Sequence, residues 1–277
     1  MPSGVRKQQS ASSRPIGIFD SGIGGLTVAS AIRQELPHES LVYFGDTAHL
    51  PYGDKSADSI KYYAIRIAQF LLQQDCKMIV IACNTASAMA YETVKDFVGG
   101  KVPVINVIDP VVNHVVKSKS IQKVGVIGTK GTIKSDIYAK KIHSIQKKME
   151  VASLATPLLA PMIEEGFFNN KISRTVIGSY LDSRKLKKID ALILACTHYP
   201  LIKKEVGDYY KDTVEIIDTA RVVALHVKDT LQKNKLLSTV KKPSQQFFVS
   251  DFTKSFEEST RYFFKNKIHL EKKDIWL

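Results

Sequence analysis

The stretch IVIACNTASA, residues 79–88, runs from an unbroken apolar segment into a single cysteine, Cys83, and then into Asn84 and Thr85. LILACTHYPL, residues 192–201, repeats the cadence with Cys196, Thr197 and His198. A short, branched, continuously apolar run bounded by polar residues reads as a strand buried on both faces, as in a parallel sheet covered by helices. The polar residues that follow are of the kind that start helices. Each stretch therefore reads as strand, then cysteine at the strand's end, then helix.

The same reading extends outward. Strands are expected at 15–19, 41–44, 78–82, 102–107, 123–128, 150–155, 191–195, 214–218 and 246–250, with helices between them, among them 26–36 and a long one over 56–74. Strands alternating with helices imply βαβ units and a parallel sheet. The order FDSG, ACNT, NVIDPVV in the first half is echoed by IGTKG, ACTH, IIDTARVV in the second. The interval from Asp20 to Cys83 resembles that from Thr129 to Cys196, so two similar α/β halves of roughly 100 residues each are expected. The chain after Asp218 is read as returning to complete the first half. The expected organisation is a flexible extension over 1–14, a first α/β domain over 15–107 plus 218–277, and a second over 108–217. Both are doubly wound parallel-sheet domains, with the active site in the cleft between them.

Composition narrows the function. With 277 residues, 44% hydrophobic and 24% charged, the chain is globular and has apolar material for two cores. No apolar run approaches the ~18 residues a membrane span needs. The opening MPSGVRKQQSASSRP has no apolar core of a secretory signal, which makes the cytoplasm the expected compartment. Three cysteines, without C-x-x-C pairing, fit neither a disulfide framework nor a zinc site. The net charge of +13 raises nucleic acid as a partner, but the lysines are scattered and lack interleaved aromatics, which favours a solvated surface. No specific nucleic-acid binding and no membrane association are expected.

In an open parallel sheet, functional groups collect where strands end and helices begin. Five segments fall there: DSGIGG (20–25), GDTAHLPYG (45–53), ACNTAS (82–87), IGTKGT (127–132) and ACTHYP (195–200). The glycine segment has Thr27 where a dinucleotide fingerprint needs glycine, and no Walker lysine follows. Taken singly, each residue has a plain structural role. A cysteine after an apolar strand is a small core residue, the reading kept for Cys76. Asp20, Asp109 and Asp218 read as helix caps, Asp46 as a loop brace, Tyr52 as a packed aromatic, and His198 as a helix-entry residue. The pairing of Cys83 with Cys196 is what lifts the site above these readings. A helix N-terminus lowers a thiol's pKa, and two thiols facing each other across a cleft can take a proton from one face of a carbon and return one to the other. That is a racemase or epimerase, with no cofactor expected.

FDSGIGGLTV, YFGDTAHLPYG, ACNTASA and ACTHYPL, in this order, resemble the signature segments of the glutamate racemase family, over residues from about Ile16 to Asp218. The resemblance implies two α/β domains and a two-thiol enzyme that interconverts L-glutamate and D-glutamate for peptidoglycan synthesis; homodimers are frequent in the family. It implies catalytic acid/base roles for Cys83 and Cys196, a carboxylate beside the first thiol at Asp20, and a helper at His198. The second-side carboxylate falls on Glu164, with Glu165 the rival. Substrate contacts fall on Asp20, Ser21, Tyr52, Gly53, Asn84, Thr85, Thr129, Thr197 and His198. Two positions depart from the family's pattern: Ala195 stands where glycine is usual, and His49 where arginine is common. Two other readings stay open, an aspartate racemase and a basic nucleic-acid or regulatory protein whose cysteines are structural.

Overall fold

The structure is a computed structural model that describes residues 10–264 and 268–276. Among the described residues, ten strands form two separate, fully parallel sheets. The first contains β1 (Ile16–Asp20), β2 (Leu41–Gly45), β3 (Met78–Ile81), β4 (Val104–Asn106), β9 (Gln245–Val249) and β10 (Glu271–Lys272). Their order is β10-β9-β2-β1-β3-β4. The second contains β5 (Lys123–Gly128), β6 (Glu150–Ala155), β7 (Ala191–Ala195) and β8 (Glu215–Ile217), in the order β6-β5-β7-β8. Strands β9 and β10 thus join the first sheet beside β2, after the chain has built the second.

The apolar runs become strands because both faces are covered. Every residue of β1, β2, β3 and β7 is buried. Alternation splits them: Ile16, Ile18, Met78 and Val80 point to one side, and Phe19, Ile79 and Ile81 to the other. Fully burying such a side chain contributes about 1.5–3 kcal/mol. The first of these clusters also takes in Ile127, Leu192 and Leu194 from β5 and β7, so one core runs across from sheet to sheet. Cys76 belongs to the second side. A Cβ added at Gly17 would sit 3.0 Å from its sulfur, and burial pushes its thiol up to about 12, both fitting a packing role.

Helix starts follow the polar residues. Ser56 caps Ala57–Gln73 through Ser59 N–H, and Asp218 caps Thr219–Lys233 through Arg221 N–H. Asp109 is a correction: Asn106 Oδ1 accepts from the N–H groups of Ile108 and Asp109, because the helix Ile108–Lys117 begins before the aspartate. The expected extension over 1–14 divides. Residues 1–9 lie outside the described residues. Residues 10–14 include a short turn, Ala11–Ser13, where the Ser12 carbonyl accepts from Lys77 Nζ and Arg14 pairs with Asp75 at 3.2 Å.

Candidate active site

Register brings the ends of the strands together. Asp20 at the end of β1 pairs with Gly45 at the end of β2, and Gly128 at the end of β5 pairs with Ala195 at the end of β7. Cys83 follows β3 and stands at the N-terminus of the helix Asn84–Val98. Its sulfur accepts from Ala86 N–H at 3.4 Å and donates to Ser21 Oγ at 3.6 Å. The sequence leads one to expect a lowered thiol pKa there; the structure gives the opposite. Burial, with Asp20 and Cys196 adding to it, pushes Cys83 up to about 12 against the pull of the Ala86 N–H and Ser21 hydroxyl. In this state Cys83 holds its proton.

Cys196 follows β7. His198 Nδ1 lies 3.6 Å from its sulfur, and His198 Nε2 lies 2.8 Å from Glu164 Oε1. Burial disfavours charge on this imidazole, but contact with the Cys196 sulfur and the Glu164 carboxylate outweighs it and holds the pKa well above the usual histidine range. An imidazolium at this distance is the counter-ion a thiolate needs. Glu164 ends the short helix Leu159–Glu164 and reaches inward, whereas Glu165 is exposed. His198 also packs edge-on to Phe263, with ring centroids 5.4 Å apart.

Asp20 is wholly buried, and burial raises its pKa while His198 and three backbone N–H groups oppose the rise. One carboxylate oxygen accepts from Gly22 and Gly25 N–H at 3.1 and 3.0 Å, which braces the glycine turn; the other accepts from Thr197 Oγ1 at 3.4 Å. The glycine turn must stay bare on one side. A Cβ at Gly24 would sit 2.4 Å from His198 Cε1, so the turn lies directly on the histidine.

Bonds between the two halves close the site. Thr27 Oγ1 donates to the Thr197 carbonyl at 2.8 Å. The hydroxyls of Thr85, Thr129 and Thr132 form a triangle with sides of 2.9–3.1 Å. Tyr138 OH donates to Asn84 Oδ1 at 2.7 Å, leaving the amide NH2 as the group Asn84 offers to the cavity. Tyr138 lies in no motif and was not singled out from the sequence, and Thr132, the last residue of IGTKGT, was not named as a site residue; their place on the buried faces of their helices is the signal that hints at them. Tyr52 is buried, with its hydroxyl on Asp46 Oδ2 at 2.7 Å, so it packs and also faces the cavity. Asp46 braces the loop as expected, taking His49 and Ser250 as well.

The result is one narrow cavity of about 70 Å³. Both thiols border it, with Ser21, Tyr52, Gly53, Asn84, Thr85, Thr129, Glu164, Thr197 and His198. Of the residues expected at the site, Asp20 alone lies behind the wall. A space that holds a handful of waters admits a small solute and no polymer. Its lining includes no arginine or lysine, so backbone N–H groups, hydroxyls and the Asn84 amide are what can hold an anionic ligand. A larger, more open groove of about 680 Å³ between the helices Ile108–Lys117 and Thr219–Lys233 contains neither thiol. Among the described residues, no group of three or more His, Cys, Asp or Glu side chains is arranged to hold a metal ion.

Two parallel-sheet lobes with a thiol from each on a shared cavity define a two-domain α/β racemase. The family profile of Asp/Glu/Hydantoin racemases matches residues 26–227. The glutamate racemase of Geobacter metallireducens is 41% identical over 88% of this chain and 90% of its own length. The crystal structure of glutamate racemase from Francisella tularensis in complex with D-glutamate superposes with a TM-score of 0.90 at 40% identity, covering 96% of this chain and 99% of that one. Glutamate racemase isoform RacE1 from Bacillus anthracis follows at a TM-score of 0.88 and 34% identity, covering 95% and 98%. The chain belongs to the Asp/Glu/Hydantoin racemase family, and within it to the glutamate racemases.

Proposed function

We propose that the protein interconverts L-glutamate and D-glutamate by moving the α-proton between Cys83 and Cys196, without a cofactor, and so supplies D-glutamate for peptidoglycan. The observation that carries this reading is the convergence of both thiols, from opposite lobes, on one small cavity without cationic side chains other than His198. A two-base racemase needs one thiol and one thiolate at the start. Cys83 holds its proton and begins as the acid. Cys196, with the His198 imidazolium beside it, begins as the base. The Cys196 thiolate takes the α-proton as the C–H bond breaks, and the electron pair passes to the carbon and its carboxylate. The Cys83 thiol gives its proton to the opposite face, and the charge ends on Cys83. The reverse reaction starts from that state. Glu164 holds His198, and Asp20 fixes the glycine turn and Thr197. Fixed donors in a water-poor cleft supply the electrostatic help a carbanion requires.

Sheet membership supports assigning 15–107 plus 218–277 to the first lobe and 108–217 to the second. Lysines beside carboxylates, such as Lys141 with Asp109 and Lys204 with Asp208, support reading the positive charge as solvated surface. Among the described residues no helix is long and apolar enough to cross a membrane. Free thiols at the site suit a reducing compartment, the cytoplasm. The test is to incubate the protein with either enantiomer of glutamate in heavy water, with no cofactor added. Loss of optical activity with deuterium at the α-carbon is expected. A protein inert on glutamate overturns the reading, and one that racemises only aspartate replaces it with an aspartate racemase.

A further inference from the structure

The segment 274–276 folds back over the loop that brings Tyr52 and Gly53 to the cavity. The Trp276 ring meets His49 edge-on at 4.5 Å and Tyr63 at 5.5 Å between centroids. His49 stacks on Tyr63 at 4.1 Å. Arg66 Nε donates to the Ile275 carbonyl at 3.1 Å, anchoring the segment to the helix Ala57–Gln73. From His49 the contacts continue inward. His49 Nδ1 lies 2.8 Å from Asp46 Oδ1, and the buried Asp46 carboxylate accepts the Tyr52 hydroxyl at 2.7 Å. Ser250 Oγ donates to the same carboxylate at 2.8 Å. Tyr52 then stands at the cavity wall.

Between β2 and the helix Ala57–Gln73 the only regular structure is the short turn Tyr52–Asp54. Backbone bonds from His49 to Asp46 and from Lys55 to Tyr52 pin parts of the loop, and side-chain contacts hold the rest. We propose that Trp276 is a positioning residue for the substrate loop, acting through His49 and Asp46 on Tyr52. A loop that is not held in its binding form must be ordered by the ligand, and the affinity falls by the fraction of loop in the competent form. The two sulfurs lie beyond this relay, so the chemical step is left alone. The inference rests on the racemase reading, and its substrate is the glutamate of that reading.

The test compares kcat and KM for D-glutamate. Losing the aromatic contacts by Trp276→Ala should raise KM about three- to tenfold, the range expected for one or two ring pairs, with kcat changed less than about twofold. Trp276→Phe should restore KM. His49→Ala should raise KM similarly, and the double variant should show little more than either single one, since the two residues act in series. Trp276 is the only tryptophan in the chain, so its emission should shift to the red in His49→Ala as the ring loses its packing. A chain ended at Lys273 gives a second route to the same state. An unchanged KM in Trp276→Ala, an equal fall of kcat, additive effects in the double variant, or failure of both Trp276→Ala and the shortened chain to fold overturns the proposal. Wild-type protein without racemase activity sinks the racemase reading instead, while active wild type beside an unaffected Trp276→Ala sinks this inference alone.

Discussion

Glu164 Oε1 lies 2.8 Å from His198 Nε2, and the opposite ring nitrogen of His198 faces the Cys196 sulfur at 3.6 Å. The carboxylate comes from one helix end and the histidine from the turn after β7, so the contact is made only by the fold. It holds a charged imidazole in a buried place where solvation alone would discharge it.

Glu164→Gln should therefore let His198 lose its proton at lower pH. The alkaline limb of the kcat/KM profile should move to lower pH, because the carboxylate that favours the charged ring is gone. The sign carries over to stability. A histidine with a raised folded pKa contributes stability that is fully present below its unfolded value, about 6.5, and lost as pH rises through the folded value. The stability gap between wild type and Glu164→Gln should be widest below that pH and narrow above it. Melting curves across pH and the rate profile check both, and an unmoved alkaline limb would remove Glu164 from the relay.

Gly24→Ala should damage the site without unfolding the protein. The added methyl would lie 2.4 Å from His198 Cε1 and 2.7 Å from Thr197 Oγ1, so the histidine must shift from Cys196. Turnover should fall at least about tenfold, because misplacement on the scale of an ångström is enough for that. Gly178→Ala is the control. It lies in the helix Lys171–Leu181 with nothing within 4 Å of the new methyl, and it should stabilise the fold by about 0.4–1 kcal/mol. Steady-state rates and urea unfolding of the two variants separate these effects.

The buried pair Lys77–Glu39 should matter for stability alone. Its side chains are 2% and 1% exposed, and Lys77 Nζ also donates to the Ser12 and Leu236 carbonyls. Burial pulls the lysine below its usual range, and Glu39 resists. Lys77→Met leaves the Glu39 carboxylate buried without its cation and should cost about 3–5 kcal/mol, much of it recovered by adding Glu39→Leu. A loss below about 1 kcal/mol in the single variant, by denaturant unfolding, would mean water reaches the pair.

The parts of this fold that could be read from sequence are those with a repeating physical signal. Runs such as residues 78–82 and 191–195 had to be strands, since continuous apolarity with strand length fits burial on two faces. The two cysteines stood out because each ended such a run. Strand β10, Glu271–Lys272, carried no such signal: it is two residues long and exposed. Asn106 took the cap expected of Asp109 because helix starts shift by a residue or two without changing any pattern. The Asn84–Tyr138 bond and the edge-on contact of Trp276 with His49 join residues far apart in the chain, and nothing local encodes such pairs. The direction of the Cys83 shift also needed the fold. The helix end was legible, but the burial and the Asp20 charge that outweigh it were not.

The claim on which the rest depends is that Cys83 and Cys196 serve opposite faces of one α-carbon. It is tested most directly with Cys83→Ser and Cys196→Ser, each given L- and D-glutamate separately in heavy water, with Cys76→Ser as control. Loss of one acid/base should slow racemisation by roughly 10²–10⁴-fold, while Cys76→Ser stays near wild type. The sulfur left in each variant should still exchange the α-proton of the one enantiomer that faces it, and the favoured enantiomer should reverse between the two variants. Exchange of the same enantiomer by both, or equal and mild losses at all three cysteines, would contradict the account.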